Sequence, residues 1–409
     1  MNPALRHYLV VTAAYWAFTL TDGALRMLVV LHFHDLGYTP LEVATLFLLY
    51  EFFGIVTNLV GGWLGARWGL TRTMHLGMAL QIVALAALTL PTPWLSVPWV
   101  MAAQALSGIA KDLNKMSAKA SVKTLVSETG GSRLFTWVSV LTGSKNALKG
   151  AGFFLGAVLL AGFGFRGAMV VMAAALGMVL LATALALPGD LGRLRVKPKF
   201  GDLLSRIPAI NRLAAARFAL FGARDAWFVV GLPVFLAAEL GWPVLVVGGF
   251  IAAWVIGYGV VQAATPRFLA CLGPGQAGGG TARRAVAVLA PLPGVMALAL
   301  GAGLAPGPVV VVGLAVFGVV FALNSAVHSY LVLAYADGDR VALDVGFYYM
   351  ANAAGRLAGT LISGYAYGAH GLAGCLWWSS ALLLAAFLFS LGLPEVESGA
   401  TNSTARSAA

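Results

Sequence analysis

Charged residues are scarce in this chain of 409 residues: Asp, Glu, Lys and Arg make up 10% of it, and apolar residues make up 60%. Soluble proteins have about 25% charged residues. The composition therefore excludes an ordinary soluble enzyme, a disordered chain and a collagen-like chain. Apolar runs of bilayer-spanning length recur along the whole sequence. We therefore expect an all-α integral membrane protein without a separate soluble domain.

Cysteine is scarce too, and Cys271 and Cys375 are far apart in the chain. This excludes a disulfide framework and a CxxC motif. No G-x-x-x-x-G-K-[ST] phosphate-binding loop is present, so the chain has no ATP-driven motor of its own. The six histidines show no metal-ligand spacing. We expect a protein that is not an enzyme and that needs neither cofactor nor metal.

Twelve apolar segments are long enough to cross a bilayer, and such lengths indicate helices rather than barrel strands. The predicted spans are 8–33, 42–64, 74–90, 98–118, 135–163, 167–187, 211–238, 244–265, 285–304, 309–335, 345–367 and 371–393. The longest polar connection falls between the sixth and seventh spans. The predicted division is a six-helix half at 1–187, a cytoplasmic linker at 188–210, a second half at 211–393 and a disordered cytoplasmic tail at 394–409.

Lysine and arginine lie almost entirely in alternate connections, beginning with the N-terminal segment. On the other side of the predicted spans, Arg166 is the one basic residue in the connections. The positive-inside rule then places both termini in the cytoplasm. The net charge of +11 is explained by this bias rather than by nucleic-acid binding. We expect a monomer that crosses the inner membrane of a bacterial cell several times.

The two halves resemble each other in sequence. Residues 35–58 align without gaps with residues 239–262, and Lys149 and Gly152 align more weakly with Arg356 and Gly359. Two six-helix halves in parallel repeat are typical of the major facilitator superfamily of secondary transporters. The segment GGWLGARWGLTR at 61–72 also resembles the loop after the second helix of that superfamily, although Ala66 stands where the family usually has Asp.

Several longer segments are similar to the ArsJ-type organoarsenical efflux permeases. They include TDGALRMLVVLHFHDLGYTP at 21–40, SGIAKDLNKMSAKASVK at 107–123, LTGSKNALKGAGFFLG at 141–156 and ARDAWFVVGLPVFL at 223–236. The resemblance implies efflux of 1-arseno-3-phosphoglycerate and hence arsenate resistance. It also implies a functional partner, the glyceraldehyde-3-phosphate dehydrogenase that makes this ester in the cytoplasm.

Charges inside the predicted spans are unbalanced. A charge at mid-bilayer costs about 2.5–3.5 kcal/mol, so each one needs a reason. The acidic residues are Asp22, Glu51, Asp112 and Asp225, and the basic ones are Arg26, Lys111, Lys115, Lys145, Lys149, Arg217, Arg224 and Arg356. Mutual pairing leaves several cations uncompensated, which is costly in a low-dielectric interior. A cavity that receives an anionic substrate explains the surplus.

The predicted substrate-binding residues are Arg26, Arg224, Arg356, Lys111, Lys145, Lys149, Asn352 and Tyr348. Arginine suits this role because its planar guanidinium binds phosphate or arsenate through two hydrogen bonds. Structural roles remain open as alternatives. The lysines could extend to the headgroups, the arginines could pair with acidic residues, and Asn352 could join two helices.

Carboxylates inside a membrane are the usual proton carriers. The predicted coupling residues are Asp22, Glu51 and Asp225. Asp22 lies four residues before Arg26, so these two could pair. Arg224 and Asp225 point about 100° apart on a helix, so we expect them not to share a face. Glu51 has no basic residue within a turn and lies at the centre of the second predicted span.

Other functions remain open from the sequence. An organophosphate or phosphate exchange or uptake carrier would have the same basic cavity. A cationic-drug exporter would need an acidic, aromatic cavity, and the cation surplus argues against it. A sensor or assembly factor that does not transport would need an output domain, and the composition leaves no room for one.

Overall fold

The computed structural model describes residues 3–37, 46–126, 131–189, 204–271, 277–336 and 340–396, and all regular secondary structure in these ranges is helical. The helices are α1 (Pro3–Asp35), α2 (Leu48–Trp68), α3 (Leu70–Ala87), a 3-10 turn (Thr92–Trp94), α4 (Val97–Val126), α5 (Gly131–Ala186), α6 (Pro208–Phe228), α7 (Gly231–Ala238), α8 (Val244–Cys271), α9 (Gly279–Leu289), α10 (Pro291–Gly301), α11 (Pro306–Tyr335) and α12 (Val341–Ser390).

Nine stretches of the described chain are long and apolar enough to cross a membrane. Two of them, Leu134–Ala186 and Val341–Ser390, have 53 and 50 residues, whereas one crossing needs about 20. Each contains a non-helical break, at Gly164 in α5 and at His370 and Gly371 in α12. The first break falls between the predicted spans 135–163 and 167–187, and the second at the start of 371–393.

Four predicted spans differ from the helices. Two of them, 211–238 and 285–304, are each covered by two consecutive helices, α6 with α7 and α9 with α10. The predicted span 98–118 is shorter than its helix, because α4 continues to Val126; the basic residues beyond Ala118 resemble a loop in sequence but lie on a helix. The predicted span 42–64 begins in residues 38–45, which lie outside the described ranges. The described helix α2 starts at Leu48, so Glu51 lies in its first turn rather than at its centre.

The two halves pack in the same way around glycines. In the N-terminal half, a Cβ on Gly152 of α5 would lie 2.8 Å from the Leu20 carbonyl oxygen of α1. In the C-terminal half, a Cβ on Gly359 of α12 would lie 2.4 Å from the Gly222 carbonyl oxygen of α6. Real Cβ atoms do not approach backbone this closely, so glycine permits the contact. The weak sequence match of Gly152 with Gly359 thus corresponds to equivalent packing.

The halves meet at one end of the bundle and separate at the other. A hydrophobic core shared by both halves surrounds the first turns of α1 and α12. It includes the ring pair of Phe135 and Tyr330, whose centroids are 5.1 Å apart. Toward the opposite end, each half has its own core, one made of α1–α5 residues and the other of α6–α12 residues. We call the shared core the closed end and the opposite side the open end.

Candidate functional site

Charged side chains from both halves meet beyond the closed end. We call this region the chamber and define it by the side chains of Arg26, Glu51, Lys111, Lys145, Lys149, Arg224 and Arg356. The side chains of Glu51, Arg356 and Arg26 are 34%, 31% and 26% exposed. Water therefore reaches these three side chains from the open end.

A chain of ion pairs crosses the chamber from one half to the other. Arg26 of α1 donates to Oε1 of Glu51 of α2 at 3.2 Å. Arg356 of α12 donates to the same oxygen at 3.4 Å and to Asp225 of α6 at 3.0 Å. Arg224 closes the chain on Asp225 at 2.5 Å. The predicted arginines and two predicted carboxylates thus form one connected group.

Of the pairings considered from the sequence, one expectation was wrong: Arg224 and Asp225, expected not to share a face, form an ion pair. The long, flexible arginine side chain bends back to its neighbour. Asp22 does not pair with Arg26 but accepts a hydrogen bond from the Tyr50 hydroxyl at 2.7 Å. Glu51 has two basic partners, since they come from other helices rather than from its own turn.

The lysines of α4 have partners. The Lys111 ammonium lies 3.8 Å from the centre of the Tyr50 ring and 3.9 Å from Asp112. Lys115 is buried and donates to Asp112 at 2.5 Å. Its burial excludes the alternative in which it extends to the headgroups.

The lysines of α5 lack partners. Lys145 and Lys149 are partly buried, and in the described ranges neither donates a hydrogen bond nor forms an ion pair. Their electrostatic neighbours are mostly cations: Lys145 faces Lys111, Lys115, Lys119 and Arg356. Lys149 faces Arg26, Lys111 and Arg356, and the carboxylates of Asp22 and Glu51 are near it without forming an ion pair with it. These two ammonium groups are desolvated among like charges, an arrangement that is costly unless an anion arrives.

Lys119 and Tyr50 also lie in this region, although the sequence did not indicate them as site residues. Lys119 is buried and donates to the Thr142 hydroxyl at 2.5 Å, with its ammonium 5.1 Å from the centre of the Tyr349 ring. It continues the row of Lys111 and Lys115 at a spacing of four, a signal that the early end of the predicted span obscured. Tyr50 directly precedes Glu51, and no sequence pattern indicated its contact with Asp22 and Lys111.

Asn352 and Tyr348 lie at the closed end rather than beside Arg356. Asn352 Oδ1 accepts a hydrogen bond from Arg217 Nε at 2.9 Å. Tyr348 is fully buried against Tyr349, and Arg217 lies 5.3 Å from the centre of its ring. In this conformation both residues surround Arg217, and their contact with substrate stays a prediction.

Cations exceed carboxylates in this part of the described chain. The carboxylates of Asp22, Glu51, Asp112 and Asp225 are all occupied by the contacts above. Arg217 is buried, yet its hydrogen bonds go to neutral oxygens of Asn352 and Ser325. The cations without a carboxylate contact are Lys119, Lys145, Lys149 and Arg217. Within the described ranges, no group of three His, Cys, Asp or Glu side chains is placed to hold a metal ion. The arrangement is suited to bind an anion.

Two similar helical halves around a charged central chamber define a secondary transporter of the membrane rather than an enzyme. Residues 11–332 match the sequence profile of the Major Facilitator Superfamily, and the chain belongs to this family. No curated protein matches the chain significantly.

Solved structures of the same fold have little sequence identity to the chain. The human organic anion transporter MFSD10 (TETRAN) is 19% identical, with a TM-score of 0.75 over 95% of this chain and 100% of that one. A bacterial homologue of the iron transporter ferroportin in an outward-facing state is 14% identical, with a TM-score of 0.74 over 94% and 98%. The E. coli fucose:proton symporter FucP is 11% identical, with a TM-score of 0.72 over 94% and 98%. At these identities the likeness concerns the fold alone.

Proposed function

We propose that this transporter exports an anion with two acidic ester groups, and specifically 1-arseno-3-phosphoglycerate, so that the cell resists arsenate. The observation that supports an anionic substrate is that Lys145 and Lys149 of α5 form no ion pair and donate no hydrogen bond among the described residues, although they are desolvated among other cations. The ArsJ-type resemblance supports the arsenate ester. A human transporter of organic anions shares the fold, although folds host many substrates.

We further propose twelve membrane crossings with both termini in the cytoplasm of a bacterial cell. The long helices α5 and α12 would each supply two crossings, because each has a break at its middle. The nine apolar stretches then supply eleven crossings, and the more polar helix α4 supplies the twelfth. With this orientation the closed end faces the cytoplasm, and the chamber opens to the outside.

Transport would proceed by alternating access. The cytoplasmic-facing chamber offers ammonium and guanidinium groups to the substrate, whose negative charge lets the two basic halves approach each other. Rocking of the halves then opens the other side, where the anion leaves. Asp22, Glu51 and Asp225 remain the candidates for coupling as in an antiporter. Glu51 is the most accessible to water, with 34% exposure against 1% for Asp225.

The test is arsenate tolerance in an arsenate-sensitive bacterium. Cells would carry the transporter with or without a co-expressed glyceraldehyde-3-phosphate dehydrogenase, the functional partner that forms the ester. We expect tolerance only when both proteins are present, and loss of tolerance in the double variant Lys145→Gln, Lys149→Gln. Tolerance without the dehydrogenase would contradict the arseno-ester as substrate.

The matched control is Arg166→Gln, which removes a positive charge outside the chamber. The Arg166 side chain is exposed and donates to the Thr89 carbonyl oxygen at 2.7 Å. This variant should keep full tolerance at equal membrane expression. Equal loss in the control and the double variant would show that total charge, rather than the chamber lysines, matters.

Exchange of organophosphate for phosphate is the second candidate, because guanidinium and ammonium groups bind phosphate and arsenate alike. Proteoliposomes loaded with inorganic phosphate would take up 3-phosphoglycerate if this alternative holds. In that case cells would show no arsenate tolerance despite full expression.

A further inference from the structure

Glu51 differs from the other three chamber-region carboxylates in the origin of its partners. Its Oε1 accepts from Arg26 of its own half and from Arg356 of the opposite half. Asp225 pairs with Arg224 and Arg356, both of its own half. Asp112 pairs with lysines of its own helix, and Asp22 with Tyr50. Among these four, Glu51 alone links the halves.

Glu51 is also the least embedded of the four. Its side chain is 34% exposed, whereas those of Asp225 and Asp112 are 1% and 2% exposed. It lies in the first turn of α2 on the water-accessible side of the chamber. Its carboxylate can therefore leave the two arginines without disturbing a packed interior.

We propose that the Glu51 carboxylate occupies, in the empty transporter, the position of a substrate oxyanion between Arg26 and Arg356. An arriving phosphoryl or arsenyl group displaces it and binds both guanidinium groups. This inference rests on the proposed function only in that the substrate is such an oxyanion. Arg224 stays outside this subsite, because it contacts the buried Asp225 and, unlike Arg356, does not contact Glu51.

The need to displace the Glu51 carboxylate limits which ligands can bind, because a ligand must interact with the two arginines more strongly than Glu51 does. A carboxylate and a phosphoryl group both accept paired hydrogen bonds from guanidinium. A ligand with one negative charge gains little by replacing a tethered carboxylate of equal charge. A dianionic group carries more charge and more acceptor oxygens, so it displaces Glu51. The subsite therefore selects phosphate or arsenate esters over monocarboxylates.

The test measures binding of 3-phosphoglycerate to the purified full-length transporter by isothermal titration calorimetry. Glu51→Gln removes the competing charge and keeps the side-chain shape. We expect the Kd of Glu51→Gln for 3-phosphoglycerate to fall about tenfold, because the ligand no longer competes with a carboxylate for the guanidinium groups. This change corresponds to about one charge-assisted hydrogen bond. Acetate should bind Glu51→Gln and not the wild type.

Asp22→Asn is the matched comparison, because it removes the same charge nearby and leaves Arg26, Glu51 and Arg356 in contact. We expect a gain of less than about threefold, since Asp22 contacts the Tyr50 hydroxyl rather than either guanidinium group and acts on them only through space. An equal gain in both variants would overturn direct displacement in favour of a general charge effect. If Glu51→Gln does not fold, Glu51→Ala makes the same test.

The outcomes separate this inference from the proposed function. If the wild type binds 3-phosphoglycerate and the Glu51 variant binds no tighter, the displacement proposal fails and the anion transporter stands. If neither protein binds 3-phosphoglycerate or inorganic phosphate, both fail.

Discussion

The two halves share their backbone packing but differ in whether their buried cations have acceptors. Gly152 and Gly359 allow equivalent helices to touch in each half. In the C-terminal half, Arg224 and Arg356 share Asp225, and Arg217 has neutral oxygen acceptors. In the N-terminal half, described contacts leave Lys145 and Lys149 without any acceptor. The repeat therefore preserves the scaffold, while the unmet positive charge is concentrated on one side of the chamber.

This difference separates structural charge from functional charge. A buried cation that has an acceptor stabilises the fold, and the protein loses stability when that acceptor is removed. A buried cation without one destabilises the empty protein and is retained for another reason. The arginines of α6 belong to the first kind and the lysines of α5 to the second, so we expect substitutions to act oppositely in the two halves.

The shared packing predicts the largest effect. Gly152→Ala and Gly359→Ala would each bring a methyl group within 2.8 Å or less of a backbone carbonyl oxygen. Backbone atoms cannot move aside to relieve the clash as a flexible side chain can, so each variant should lose about 1–3 kcal/mol of stability. The thermal unfolding midpoint of the purified protein measures this. Two variants with very different losses would break the equivalence of the halves.

Gly177→Ala and Gly364→Ala serve as controls for these substitutions. They lie in the same long helices, and a Cβ on either would meet no atom within 4 Å. Their midpoints should stay unchanged or rise slightly, because alanine favours helix more than glycine.

The difference in charge pairing predicts that substitutions in the two halves shift the unfolding midpoint in opposite directions. Lys149→Gln should raise the unfolding midpoint of the empty transporter, because it removes a desolvated charge that has no acceptor. Arg224→Gln should lower it, because the buried Asp225 loses the nearer of its two basic partners, at 2.5 Å. Both shifts correspond to roughly 1–2 kcal/mol. Both variants should also weaken transport, so stability and transport would diverge only for Lys149.

The opposite result for Lys149 would be informative. A lower midpoint in Lys149→Gln would mean that the lysine already stabilises the empty protein, and the argument for an anionic substrate would lose its main support. Adding inorganic phosphate should stabilise the wild type more than this variant.

The scaffold and the surplus of cations were accessible from the sequence, because both follow from local patterns. The long apolar segments were visible, and the break at Gly164 falls between two predicted spans. The pairing was not accessible: Glu51 contacts Arg356, which lies 305 positions away. Such contacts depend on how helices rotate and cross, which composition does not determine.

Local reasoning also failed over short distances. Arg224 and Asp225 pair although their Cβ atoms point apart, because arginine has a long, flexible side chain. Charge usually marks the end of a span, so the sequence predicts a loop at Lys119, which instead lies within α4. In a transporter with a wet, charged interior, that rule shortens the helices that line the interior.

The smallest predicted effect concerns the contact between the halves at the closed end. Asn146 of α5 donates to Gln262 of α8 at 2.9 Å, a hydrogen bond that opening of this end must break. Asn146→Ala should shift the balance toward the open form by about 1 kcal/mol, or roughly fivefold. Spin labels on the exposed Cys271 and on Trp68→Cys would report a longer distance between the two labels.

Ser144→Ala is the control, because Ser144 accepts a hydrogen bond from Trp16 of its own half at 2.8 Å. An equal shift in the control would show that any lost hydrogen bond loosens this end, and that Asn146 and Gln262 have no special part in holding the halves together.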